Sequence, residues 1–217
     1  MGEQFDPDTN PATGVFYNKL NISDRATLEQ AEYELSAVRL RAMATNPVEG
    51  HFDLTHLQQI HKGIFEDVYD WAGKLRTVET SSRAPFAKPE YIETAAAEVF
   101  ATLRTQHLFQ DCTADTFVER AAWLYTELNA IHPFREGNGR ANCQFLSQVA
   151  SQAGYHIDWS KVNKNELDTA AAQAMSQSAD LMVELLTQSV VQAARRVPAP
   201  PALIDRSSQQ NNRGHSR

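Results

Sequence analysis

The nine residues His132 to Arg140, HPFREGNGR, bring together one imidazole, one carboxylate, two guanidinium groups and an asparagine between two glycines. Pro133 cannot sit inside a helix, so an incoming helix must stop near Ile131 or His132 and leave the imidazole projecting from its end. Gly137 and Gly139 allow positive φ and close backbone approach ahead of a second helix, whose first N–H groups have no partner within it. Those amides, the positive helix end and the Arg140 guanidinium together make an anion site suited to phosphate oxygens. A carboxylate beside phosphates is unfavourable on its own, so Glu136 implies a divalent cation between them, Mg²⁺ above all. His132, neutral for much of the time near pH 7, can take a proton from an incoming hydroxyl. The chemistry these parts describe is transfer from a nucleotide to a hydroxyl.

On residue types alone a helix–helix connection with incidental charges stays open beside this catalytic reading. Two other readings fail. The His132/Glu136 spacing would suit zinc only on a continuous helix, which Pro133 and the glycines prevent, and no Lys-Ser or Lys-Thr follows the glycines as a P-loop needs. With 27 acidic against 20 basic residues the net charge is −7, which repels nucleic-acid phosphates and excludes direct nucleic-acid binding as the expected function. Cys112 and Cys143 have no metal-type spacing and fit a reducing compartment. No apolar run reads as a signal peptide or membrane span, so the expectation is a cytoplasmic protein without membrane contact.

The elements that must hold the nine residues are helical. Residues 1–22 are rich in turn formers and read as an irregular lead-in. Ser23 is expected to cap a helix to about Ala44, with Leu28, Ala31, Leu35, Val38 and Ala42 on its buried side. Asp53 or Thr55 caps a second, burying Leu57, Ile60, Ile64 and Phe65, with His56 and His61 as packing or surface residues. The segment 71–91 breaks the period, and the loose alternation around Leu75, Thr77 and Glu79 predicts a short surface hairpin. A helix from Pro89 to about His107 buries Ile92, Ala96, Val99, Phe100 and Leu103. Thr113 caps the helix that enters the motif, with Phe117, Ala121, Leu124, Leu128 and Ile131 inward. The helix leaving the motif closes at Gly154. Helices over about 164–175 and 178–196 complete one main domain, 23–197, and 198–217 reads as a disordered tail or linker.

HPFREGNGR resembles the signature HPFx[D/E]GNGRxxR of Fic-domain proteins through its first nine positions. Ile60-His61-Lys62, the run Phe65 to Lys74 with Arg76, and Ala153-Gly154-Tyr155 are similar to flanking parts of the same family. The resemblance implies an all-α, Fic-type helical bundle with a small β-hairpin flap. It also implies transfer of AMP from ATP, with Mg²⁺, to a Tyr, Ser or Thr hydroxyl of a target protein. By matched position His132 would be the general base, Glu136 the Mg²⁺ ligand, and Gly137, Asn138, Gly139 and Arg140 the phosphate cradle, with Phe134 anchoring the loop in the core. The flap, Arg76, Thr77, Val78, Glu79 and Thr80 among its residues, would hold the target by main-chain pairing.

One position departs from the signature: Cys143 stands where the second arginine belongs, and a thiol cannot replace guanidinium donors. An i, i+3 spacing puts it on the face of Arg140, so both ATP affinity and the usual glutamate inhibition are expected to change. Thr45 to Gly50 fits the letters of the family's inhibitory motif, but Pro47 opposes the helix that motif needs. The resemblance therefore implies the toxin half of a bacterial pair, with a small separate antitoxin supplying an inhibitory glutamate and a topoisomerase subunit such as gyrase as target. The lead-in also looks like Fic domains that head longer secretion effectors, which would act in another cell.

Overall fold

The structure, a computed structural model, describes residues 6–80 and 85–192. The expected tail over 198–217 and residues 81–84 of the flap lie outside the described residues. The chain opens with a two-stranded antiparallel hairpin, β1 (Thr9–Asn10) and β2 (Val15–Phe16), in the segment expected to be irregular. Helix α1 (Arg25–Thr45) is capped by Asp24, one residue beyond the expected Ser23, whose carboxylate accepts from the Thr27 amide. Helix α2 (Leu54–Phe65) is capped by Asp53, and α3 (Ile92–Thr105) follows a single 3₁₀ turn. Helix α4 (Ala114–Ile131) is capped by Thr113 and leads into the motif; α5 (Asn138–Gln152) leaves it.

The last expected helix, 178–196, is in fact α7 (Asp180–Ser189) followed by a strand, β4 (Val190–Gln192), and α6 spans Lys164–Ser176. β4 pairs antiparallel with β3 (Tyr155–Ile157), Ile157 opposite Val190. The β-branched pair Val190 and Val191 takes the extended form because β3 offers it a ladder, an opportunity no local pattern discloses.

The core is built around α5, which packs between α2 and α4, while α1 lies on α2, α3 on α4, and α6 and α7 on α4. The inward stripes of α2, α3 and α4 are those the 3.6 period gives, with Leu57, Ile60, Ile92, Phe100, Phe117 and Leu124 buried. Helix α1 is the exception. Its buried residues are Leu28, Glu32, Ser36 and Met43, whereas Val38, expected inside, is exposed. A polar pair faces the interior there because the motif supplies its partners.

Candidate active site at the junction of helices α4 and α5

Helix α4 ends at Ile131, and His132 takes a left-handed conformation with φ 48° that turns the chain toward Pro133. Phe134 then drops into the core as expected, fully buried and stacked on His61 with ring centroids 3.9 Å apart. The loop is tied internally by Asn138, whose side-chain oxygen accepts from the Phe134 amide and whose NH₂ donates to the Phe134 carbonyl, each at 2.8 Å. With its side chain spent on Phe134 and only 2% of the residue exposed, Asn138 can offer an anion its backbone N–H alone.

Gly137 precedes α5 with φ 78°, and a Cβ there would lie 2.2 Å from the Phe65 ring. Both conformation and space therefore require glycine at this position. Gly139 is different from what the glycine pair led us to expect: it lies inside α5 at a helical angle, with room for a Cβ 3.8 Å from the Tyr125 hydroxyl. No side chain caps the first turn of α5 among the described residues. The Glu136 carboxylate, half exposed, accepts from the Gly137 amide at 2.9 Å beside that turn. An oxygen-rich, solvent-facing carboxylate next to open helix amides fits a hard divalent cation bridging to phosphate.

Arg140, in the first turn of α5, is engaged by protein partners. Its guanidinium donates to Glu32 of α1 at 2.5 Å and to Ser36 at 3.0 Å, lies 4.5 Å from the Phe65 ring centroid, and is 3.7 Å from Glu136. The other oxygen of Glu32 accepts from the Tyr69 hydroxyl, whose pKa is raised by burial first and by this bond and the Glu32 charge after it. Arg140 thus bridges two carboxylates, one from α1 and one from the motif. Arg135, outside the expected set, is held by Asp6 at 2.6 Å and stacks over Phe16, which fastens the N-terminal hairpin to the motif. Between this hairpin, α1 and the motif lies a cavity of about 800 Å³ lined by Arg25, Glu32, Tyr69 and Glu136 among others.

His61, expected as a packing residue, has a further part. The Gly73 amide donates to its Nδ1 at 2.9 Å, so the proton is on Nε2, which donates to the Glu136 carbonyl at 2.8 Å. Burial first, and the Arg140 charge in addition, lower its pKa to about 4 against the pull of the Glu136 carbonyl. The neutral tautomer is the one both bonds require.

His132 is covered. The Phe86 ring stacks on its imidazole at 3.7 Å, and its Nδ1 has no hydrogen-bond partner among the described residues. Burial first and the Arg76 charge second lower its pKa to about 4, against a smaller opposing pull of the Asn129 main chain. The imidazole is therefore held neutral beneath the phenyl ring.

In the flap segment Arg76 and Val78 are buried and Thr77 and Glu79 exposed, the alternation read from the sequence, yet residues 71–80 form no strand. Among the described residues the two antiparallel strand pairs are the hairpin β1/β2 and the pair β3/β4. Among the described residues 76–80, Thr77 and Glu79 are exposed and Thr80 is half-buried. Arg76, expected among the docking residues, points inward: it is 3% exposed, and its donors go to main-chain carbonyls.

Cys143 also lies differently from the expectation that it shares the face of Arg140. Arg140 reaches across to α1, whereas the Cys143 thiol is buried against the Tyr125 hydroxyl of α4 and is pushed up to about 12 by that burial. An i, i+3 pair diverges here because the two side chains follow partners on opposite sides of α5.

The residues that sequence reasoning missed are Glu32, Ser36, Tyr69 and the bridging role of His61. A signal for the first two exists: they follow Leu28 at i+4 and i+8, so two polar side chains occupy a core-facing line of α1.

The profile of the Fic/DOC family matches residues 51–150. The protein adenylyltransferase VbhT of Bartonella schoenbuchensis is 40% identical over 205 residues, covering 93% of this chain and 43% of the relative's own length. The probable protein adenylyltransferase y4lH of Sinorhizobium fredii is 38% identical over 183 residues, covering 83% of this chain and 94% of that protein. In three dimensions the chain is similar to the BepC protein of Bartonella tribocorum, a VirB-translocated effector solved with bound AMPPNP, at a TM-score of 0.80 and 25% identity, covering 86% of this chain and 97% of that one. With the motif loop, the helical bundle and these relatives in agreement, the chain belongs to the Fic/DOC family.

Proposed function

We propose that this chain transfers AMP from ATP to a Tyr, Ser or Thr hydroxyl of a target protein. The observation that carries the reading is the meeting, in one loop, of a neutral imidazole at the end of α4 and an uncapped first turn of α5, with the half-exposed Glu136 carboxylate between them. The cavity beside Glu136 has the size of a small-molecule site.

In this mechanism the amides of the first turn of α5 hold the phosphate oxygens of ATP. Glu136 would hold Mg²⁺, which supplies charge compensation for the phosphates. Thr77 and Glu79 present the flap to the target, whose hydroxyl displaces Phe86 from the face of His132. His132 takes the hydroxyl proton, the oxygen bonds to the α-phosphorus, and the bond to the β-phosphate bridging oxygen breaks, so pyrophosphate leaves. Positioning and electrostatic stabilisation supply most of the acceleration in such a step.

A second reading, nucleotide binding with impaired transfer or with a donor other than ATP, is favoured by one observation. Position 143 offers a thiol turned toward Tyr125 in place of guanidinium donors. The toxin role, a small antitoxin presenting a glutamate to this site and a bacterial topoisomerase subunit as target belong to the same proposal and rest on the family resemblance. Among the described residues no helix is long and apolar enough to cross a membrane.

The test is incubation with Mg²⁺, bacterial lysate and ATP labelled on the α-phosphate. A labelled protein band that His132→Ala abolishes supports transfer. Nucleotide binding without any band supports the second reading, and donor variation read by intact mass identifies another transferred group.

A further inference from the structure

Arg76 donates from Nε to the His132 carbonyl at 2.7 Å, from Nη1 to the Val78 carbonyl at 2.9 Å, and from Nη2 to the carbonyls of Ala87 and, at 3.3 Å, Ile131. Its own amide donates to the Pro133 carbonyl at 2.9 Å. One guanidinium thus joins three pieces of chain: the end of α4 with the motif's first residues, the incoming leg of the flap, and the outgoing leg. The outgoing leg is held a second time, by the Ala87 amide on the Ala130 carbonyl at 2.9 Å. No carboxylate is hydrogen-bonded to Arg76 among the described residues, and its charge is balanced by carbonyl dipoles, including those at the negative end of α4, with the Glu79 charge farther off. His132 sits in a left-handed conformation that an L residue avoids unless its surroundings hold it there, and the bond to its carbonyl is such a hold.

We propose that Arg76 is a positioning residue that locks the flap to the general base, so that a target docked on the flap is aligned with the His132 imidazole by one shared clamp. The inference rests on the reading of His132 as the base. It departs from the docking role expected for Arg76 and explains why a cation is buried at the flap entrance. The planar fork is essential, because a lysine ammonium on a flexible stem cannot satisfy carbonyls lying on three segments at once. Phe86 follows directly from the clamp, since the residue after it, Ala87, is bonded to Arg76 and its own ring covers His132.

The test compares Arg76→Lys with the wild type in three measurements. Affinity for ATP with Mg²⁺ is expected to stay within about twofold, because α5 and its amides do not touch Arg76, whereas kcat for transfer falls by about a hundredfold, the cost of misplacing a base by an ångström. The NMR Overhauser contacts between the Phe86 and His132 rings are expected to vanish together with that loss. Wild-type kcat with the contacts intact overturns the proposal, and so does a fall in ATP affinity that matches the fall in kcat, which marks general damage to the fold. Should Arg76→Lys melt below the assay temperature, the wild-type Arg76 Nε–H decides: slow exchange with solvent is required, and rapid exchange overturns the clamp. The ring contacts and Nε–H exchange are read without transfer, so an absence of transfer in the wild type sinks the proposed reaction while leaving the clamp separately decided.

Discussion

The Phe86 ring lies flat on the His132 imidazole, with centroids 3.7 Å apart and planes 10° from parallel. This lid keeps the ring dry, and desolvation is the first cause of its pKa near 4. With Phe86→Ala the ring is hydrated and its pKa rises toward 6.5. The acid limb of the pH profile of kcat/KM is then expected to move up by one to two pH units, as a rough bound from full rehydration. A limb that stays in place means that the cover does not control the base.

Stability should also depend on pH through His61 and His132. Both take a proton near pH 4 when folded and near 6.5 when unfolded, so between those values the unfolded chain binds more protons. Their contribution is fully present above pH 6.5 and is lost as the pH falls toward 4, at about 1.4 kcal/mol per pH unit for each group. Denaturant titrations at pH 7.5, 6 and 5 should show this decline, and His61→Asn should lessen its slope.

The two motif glycines should separate cleanly. Gly137→Ala meets both the positive φ and the Phe65 ring, and is expected to cost about 2–4 kcal/mol and to weaken nucleotide binding. Gly139→Ala has room and a helical angle, so it should leave stability unchanged or slightly raised. Thermal denaturation and calorimetric titration with ATP check both.

Asn138→Ala leaves the Phe134 amide and carbonyl without partners in a buried loop. A loss of about 2–4 kcal/mol is expected from two unsatisfied groups. Asn138→Asp keeps the acceptor for the Phe134 amide but sets an oxygen against the Phe134 carbonyl, so it too should unfold at lower denaturant than the wild type.

Cys143 is partly exposed as a residue although its thiol is buried, so a longer side chain has a way out of the α4 contact. Cys143→Arg is expected to raise transfer at limiting ATP and to leave it unchanged at saturation. Equal activity of the two proteins at both concentrations counts against a phosphate role for this position.

Much of the site was legible because its logic is local. Pro133 ends one helix, Gly137 turns the chain, and the caps Asp53 and Thr113 are short side chains acting within four residues of themselves. What was not legible depends on distant partners. Ser23 and Asp24 are equally good caps by type, and the choice falls to geometry. The buried side of α1 is rotated from its apolar pattern because Arg140 and Tyr69, far along the chain, draw Glu32 and Ser36 inward. Arg76 reads as an exposed flap cation until the carbonyls it serves, from Ile131 to Pro133, are placed beside it.

The most direct measurement is the crystal structure of this chain grown with Mg²⁺ and a non-hydrolysable ATP analogue. The account predicts phosphate oxygens on the first amides of α5, a cation on the Glu136 carboxylate, and the α-phosphate facing His132. A nucleotide bound elsewhere, with that turn empty, contradicts it.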